Sequence, residues 1–269
     1  MQARLLPAVR GAFWIVGGFQ LYRRNPPLLT MLTLAYLLLV LAFGQLQPVG
    51  PFLLPLLLPT LTALIANGCR ALDQGTLVPR GALGFGLRQQ RGALLRLGGL
   101  HLLGTLAILL VDLLLQDGDP GMLGGGKDGA GAATSPLEEA ELLWHMLRLL
   151  LIALPVLLAF WFAPLLTAWN GVPAIKSLFF SLIAVWRNWR AFLVYALTAM
   201  LVGVILPGLL LLLASLVSKS LVEVFSIVLR MLLLMVFAPV LMTGIYQSYR
   251  DVFLPLPDPG SGPVSDATA

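Results

Sequence analysis

The chain has 269 residues, of which 59% are hydrophobic and only 11% charged, and its mean hydropathy is +0.93. A soluble domain needs a charged exterior that this composition does not supply, so the implied solvent is the bilayer. The net charge of +5 does not mark a nucleic-acid surface, because the basic residues flank apolar runs and form no soluble patch.

Cys69 is the single cysteine, so no internal disulfide is available. The N-terminal MQARLLPAVRGAFW has arginines but no compact apolar core followed by a small-residue cleavage site, and it reads as uncleaved. Residues 12–24, AFWIVGGFQLYRR, predict a first interfacial helix that ends at Asn25, because Pro26 and Pro27 follow. Span one then runs from Leu28 to about Leu46, long enough at ~1.5 Å per residue for a hydrocarbon core of ~30 Å. After a turn at 47–51, span two begins with Pro51, Pro55 and Pro59 on nearly one face and ends at Asn67-Gly68-Cys69-Arg70. The segment RGALGFGLRQQR, with Arg80, Gly84, Arg88 and Arg91 at helical spacing, predicts a second interfacial helix. Span three, about Leu94 to Leu115, holds His101 and, near its end, Asp112.

Residues 116–137 have almost no apolar side chain to bury and read as a flexible external loop. Glu138, Glu139 and Glu141 then supply an acidic first turn for span four, about Leu143 to Trp169. Asn170-Gly171 stops that run, and Pro173 suits the first turn of a third short helix. There Ser177, Ser181, Ala184 and Asn188 make one stripe flanked by Lys176 and Arg187, with Phe179, Leu182, Val185 and Trp186 on the remaining surface. This pattern predicts a helix lying in the headgroup plane. Span five covers about Ala191 to Leu213, with a kink expected at Pro207-Gly208, and span six about Val222 to Tyr246. The tail 254–269 is Pro-, Gly- and Ser-rich and reads as disordered.

The expected fold is therefore all-α: a single polytopic transmembrane domain over 1–253, with six spans and three interfacial helices. Thirteen of the seventeen basic residues fall on the side of the N-terminal arm and the 70–96 and 170–190 segments, leaving Lys127, Arg148, Lys219 and Arg230 on the other. That bias predicts cytoplasmic termini, a periplasmic 116–137 loop, and interfacial helices on the inner leaflet. The ends of the even spans also align. LPTLTALIANG, APLLTAWNG and APVLMTGIY each place a threonine three or four residues after a proline, making Thr62, Thr167 and Thr243 equivalent. With the entries YRRNPPLL and WRNWRAFL, this suggests a threefold repeat over about 10–75, 80–171 and 172–251.

The RRNP entry, the NGCRALDQG after span two and the series FAPLLTAW, KSLFFSL and RNWRAFLVY resemble a family of six-span proteobacterial inner-membrane proteins without an assigned reaction. More distantly they are similar to the YciC-type proteins and to the membrane domain of some glycerophosphodiester phosphodiesterases. The resemblance implies a fold and a bacterial inner-membrane location. It implies no reaction.

No catalytic, metal or cofactor set is legible. His101 and His145 belong near opposite leaflets, so a shared metal site or a serine–histidine pair does not follow. His101 reads as an interhelical hydrogen-bonding residue. Glu138-Glu139 resembles the paired glutamates of intramembrane CAAX-type proteases but lacks the arginine that should follow, and reads as a solvated helix start. Glu141 with Arg148 and Glu223 with Arg230 share a seven-residue spacing, as interfacial anchors or as a polar vestibule. Asp112 is expected to be solvated. The Pro–Thr motifs have a physical reason: each proline orphans a carbonyl one turn back, and a hydroxyl can serve such groups where there is no water. The candidate lipid-interface residues are Lys176, Trp186, Arg187, Arg88 and Arg91. The candidate polar intramembrane residues are His101, Thr62, Thr167, Thr243, Arg148 and Arg230.

The expected role is that of a non-enzymatic bundle that engages anionic inner-leaflet lipids, and other membrane proteins or itself, but not nucleic acid. The alternatives are a small secondary transporter and, third, an intramembrane enzyme.

Overall fold

The computed structural model describes residues 3–75, 81–115 and 136–254. Residues 116–135 of the expected 116–137 loop, residues 255–269 of the expected tail, Arg80, Lys127 and the side chains of Glu138, Glu139 and Glu141 lie outside the described residues. Every described regular element is helical: α1 Arg10–Arg24, α2 Pro26–Gln45, α3 Gly50–Gln74, α4 Arg91–Leu115, α5 Pro136–Asn170, α6 Ala174–Arg187, α7 Trp189–Met200, α8 Leu206–Ser215, α9 Lys219–Leu232 and α10 Ala238–Phe253. Wide π turns, Leu201–Ile205 and Leu233–Phe237, join α7 to α8 and α9 to α10 without ending either helix. Among the described residues six helices are long and apolar enough to cross a membrane: Pro26–Gln45, Gly50–Gln74, Arg91–Leu115, Leu142–Asn170, Trp189–Ser215 and Lys219–Phe253. All six were expected from hydropathy.

Each π turn sits just ahead of a proline, Pro207 or Pro239. Proline has no N–H for the carbonyl four residues back, and its ring crowds that carbonyl. The helix relaxes by one residue per turn, and Leu206 N–H and Ala238 N–H reach five residues back, to Leu201 and Leu233. The kink expected at Pro207-Gly208 is this wide turn, placed before the proline.

The described residues 81–90 do not form the expected second interfacial helix. A 3-10 turn at Ala82–Gly84 is followed by further turns until α4 begins at Arg91. Gly81 and Gly86 have φ of +86° and +72°, which a right-handed helix cannot include. A Cβ at Gly86 would also fall on the Ala168 carbonyl of α5, so the backbone passes there only as glycine. The helical spacing of the arginines is real, but the glycines override it. A short helix therefore precedes the spans of the first and third thirds, while among the described residues of the middle third turns take its place before α4.

The chain divides into two compact units. The first comprises residues 1–36, 65–83 and 184–269, and the second 37–64 and 84–183. In the first, α1 packs on α7 and α10 through Gly11, Trp14, Gly18 and Leu21. Trp14 is fully buried, its ring 5.0 Å from Phe192, and its indole N–H donates to Asp251 at 3.0 Å. Lys219–Phe253 is 35 residues long, or ~50 Å, well beyond a ~30 Å hydrocarbon core. Its last turns can therefore carry charge. Asp251 pairs with Arg10 at 3.3 Å, and Arg250 pairs at 3.0 Å with Asp73, which also accepts from the Tyr246 hydroxyl at 2.7 Å. In the second unit Ala63, Leu94 and Ala168 form one apolar cluster, and Leu97, Ala163 and Ala174 another.

Candidate lipid interface and intramembrane polar groups

The small and polar stripe of α6 points inward. Ser177, Ser181 and Ala184 have no exposed surface. The opposite face is apolar and open: Trp186 is 71% and Phe179 59% exposed, beside exposed Ile175, Phe180 and Ile183. Lys176 and Arg187 are exposed at its margins. A stripe expected to meet headgroups is instead the glue to the protein, because the serines have backbone groups to serve.

Those groups lie in α5. The Ser181 hydroxyl accepts from Phe162 N–H at 2.9 Å and donates to the Leu158 carbonyl at 3.0 Å, so one side chain of α6 meets two backbone groups of α5. One turn along, the Thr167 hydroxyl donates to Ser177 Oγ at 3.0 Å, and Ser177 donates to the Ala174 carbonyl at 2.7 Å. Asn188, between α6 and α7, closes the other end. Its Oδ1 accepts from Leu6 N–H at 2.8 Å, and its Nδ2 donates to the carbonyls of Arg4 and Ala184, both at 2.9 Å. The equivalent Asn25 accepts from Leu28 N–H at 3.2 Å. The aligned asparagines thus share a place, each the one residue between a short helix and a span.

The three aligned threonines behave differently. Thr62 donates to its own Leu58 carbonyl at 2.9 Å and Thr243 to its own Val240 carbonyl at 2.6 Å, while only Thr167 reaches another helix. The carbonyl orphaned by Pro239 is that of Met235, and Thr243 does not serve it. The hydroxyls of Tyr22 and Thr30, at the entry to span one, both lie 3.0 Å from it. Sequence reasoning looked beside the proline on its own helix. The usable signal was two hydroxyls a helical distance apart in YRRNPPLLT.

In the second unit Asp112 is buried, 6% exposed, and not solvated as expected. Arg148 Nη2 pairs with its Oδ1 at 3.1 Å and lies 2.9 Å from His145 Nδ1. A carboxylate so close to apolar surface persists by gaining this partner. His101 does not bridge helices by hydrogen bonding: its ring stands edge-on to Phe160 at 4.5 Å, and Nδ1 is buried without a partner. Glu223 and Arg230 are both exposed, with no ion pair between them, so the seven-residue spacing builds no shared vestibule there. Arg88 and Arg91 are exposed, in the turns and at the start of α4. Among the described residues no three His, Cys, Asp or Glu side chains are grouped to hold a metal ion. Asp73, Asp251 and Trp14, which anchor α1 and α3 to the end of α10, were not singled out in the sequence, because their partners are distant along the chain.

Six helices long and apolar enough to cross a membrane, in a chain whose described regular elements are all helical, define a polytopic α-helical membrane protein. The chain is 33% identical over 264 residues, 94% of each chain, to a probable inner membrane protein of Burkholderia thailandensis. It belongs to the family of that protein. No family model matches the chain. No solved structure matches it.

Proposed function

We propose that the chain is a non-enzymatic protein of the bacterial inner membrane, with both termini cytoplasmic, that engages anionic inner-leaflet lipid through the outward face of α6. The observation that carries this reading is the inversion of α6. Its serines are committed to α5, so Ile175, Phe179, Phe180, Ile183 and Trp186 are left uncovered between two exposed cations. An apolar face edged by basic residues suits the boundary between acyl chains and phosphates. Lys176 and Arg187 together add ~2 kcal/mol at an anionic surface, so the apolar face must supply the larger share. The distant resemblance to YciC-type proteins and phosphodiesterase membrane domains fits a lipid-facing bundle and assigns no reaction.

The test uses the full chain with Cys69→Ser and Phe179→Cys, labelled with an environment-sensitive fluorophore and reconstituted with brominated lipids. Quenching is expected, stronger with brominated phosphatidylglycerol than with phosphatidylcholine; no quenching in either would remove the lipid reading. Orientation is tested separately by Gly124→Cys in the Cys69→Ser background, which an impermeant thiol reagent should label in spheroplasts. A second reading, a small secondary transporter, draws on the π turns that break spans five and six, as transporter helices are often broken near a binding site. Ion-coupled uptake by reconstituted vesicles would favour it.

A further inference from the structure

The two π turns have a shared product. Ile15 and Phe19 of α1, Leu206 and Leu210 of α8, and Leu232 and Val236 of the last span line a cleft of about 360 Å³ inside the first unit. Every side chain lining it is apolar. Leu229 is buried in its wall, whereas Phe19, Leu206 and Leu232 are exposed, so the cleft is open along one side. Gly203 helps to shape it: a Cβ there would fall inside the Phe237 ring, which lies against the bare backbone of span five. The volume is near the lower end of the ~300–1,000 Å³ of small-ligand sites and suits a single slender tail.

A cation stands one helical turn from the cleft's lining. Arg23 follows Phe19 by one turn on α1, is exposed, and forms no ion pair among the described residues. Its neighbour Arg24 is held by Asp73 at 3.6 Å and by the Leu72 carbonyl at 3.0 Å. We propose that this cleft holds one acyl chain of an anionic phospholipid whose phosphate pairs with Arg23. The chain is retained by apolar burial, since the walls offer it no hydrogen bond. The headgroup is selected by the cation. This site shares no residue with the α6 face, so either assignment can fail without the other.

The experiment reconstitutes the full chain in phosphatidylcholine vesicles containing a trace of phosphatidylglycerol with a photoactivatable diazirine in its acyl chain, and maps adducts by mass spectrometry. The expected adducts concentrate on Phe19, Leu210, Leu232 or Val236, and excess unlabelled phosphatidylglycerol suppresses them. Arg23→Gln, at an exposed position, should leave the adducts in place but lower the preference for phosphatidylglycerol over phosphatidylcholine by about fivefold, the effect of one basic residue at an anionic surface. Val236→Trp, checked for unchanged helix content, should remove them by filling the cleft. Adducts no denser here than on the exposed Leu109 and Leu110 of α4 would overturn the proposal, as would Leu232→Cys cross-linking to a second copy.

Discussion

Backbone groups of two spans, α5 and the last one, are met by hydroxyls of neighbouring helices, and the two places differ in the number and kind of hydroxyl. In α5 the Phe162 N–H and the Leu158 carbonyl meet one hydroxyl, that of Ser181, which both accepts and donates. In the last span the Met235 carbonyl takes two donors, Tyr22 and Thr30. The difference follows from what each site presents. Pro239 removes a donor only, so the orphan is an acceptor and only donors help. In α5 an N–H and a C=O are both within reach, and a single serine hydroxyl can accept from one and donate to the other. The proline is thus served by an entry segment rich in donors, and α5 by a serine that does both.

The comparison breaks most visibly at Ser181. Ser181→Val should destabilise the chain by ~2–3 kcal/mol in detergent, because two buried backbone groups lose their partner and a methyl group enters a packed site. Ser181→Ala should cost about 1 kcal/mol, since the hydroxyl is lost but nothing larger enters the site. Thermal unfolding in one micelle system reads both. Equal effects of the two substitutions would show that the site has room for the larger side chain.

Tyr22 and Thr30 give a smaller effect with a sharper signature. Tyr22→Phe or Thr30→Val alone should cost ~0.6 kcal/mol, the mean for hydrogen bonds in a membrane bundle, because the other donor remains. The double variant should exceed the sum by ~1 kcal/mol, since only then is the carbonyl bare. In a Pro239→Ala background, which returns an N–H to Met235, the same double substitution should be nearly neutral. A loss of equal size in both backgrounds would mean that the hydroxyls stabilise something other than the proline's orphan.

Much of this fold was legible because the membrane simplifies it. A run of about twenty apolar residues has few alternatives to a helix where no water is available for the backbone, and the spans and both short helices α1 and α6 follow from that. Direction was harder to read. The stripe of Ser177 and Ser181 has the same spacing whether it meets headgroups or another helix, and its hydrogen bonds to α5 decide it. The 80–91 segment failed for a local reason, glycines with positive φ inside a pattern that counted only arginines. The carboxylates Asp73, Asp112 and Asp251 failed for a long-range one, because their partners Arg250, Arg148 and Arg10 are distant in sequence.

The smallest effect expected is at Thr243, and it tests whether the aligned threonines are equivalent. Thr243 is fully buried, and its hydroxyl is used on its own helix, 2.6 Å from the Val240 carbonyl three residues back. That carbonyl faces Ala238–Phe253, a helix whose ladder is intact there, so it already has a main-chain donor. Thr243→Val keeps the shape and removes a redundant bond; the change in stability should be within ~0.5 kcal/mol. Thr167 is equally buried, but its hydroxyl joins α5 to Ser177 of α6. Thr167→Val leaves Ser177 Oγ without that donor, and the expected loss is nearer the ~1.7 kcal/mol upper value for such bonds. Measured side by side, Thr167→Val should lower the unfolding temperature clearly and Thr243→Val barely. The reverse order would mean that Thr243, and not Thr167, is the position where the Pro–Thr pattern holds helices together.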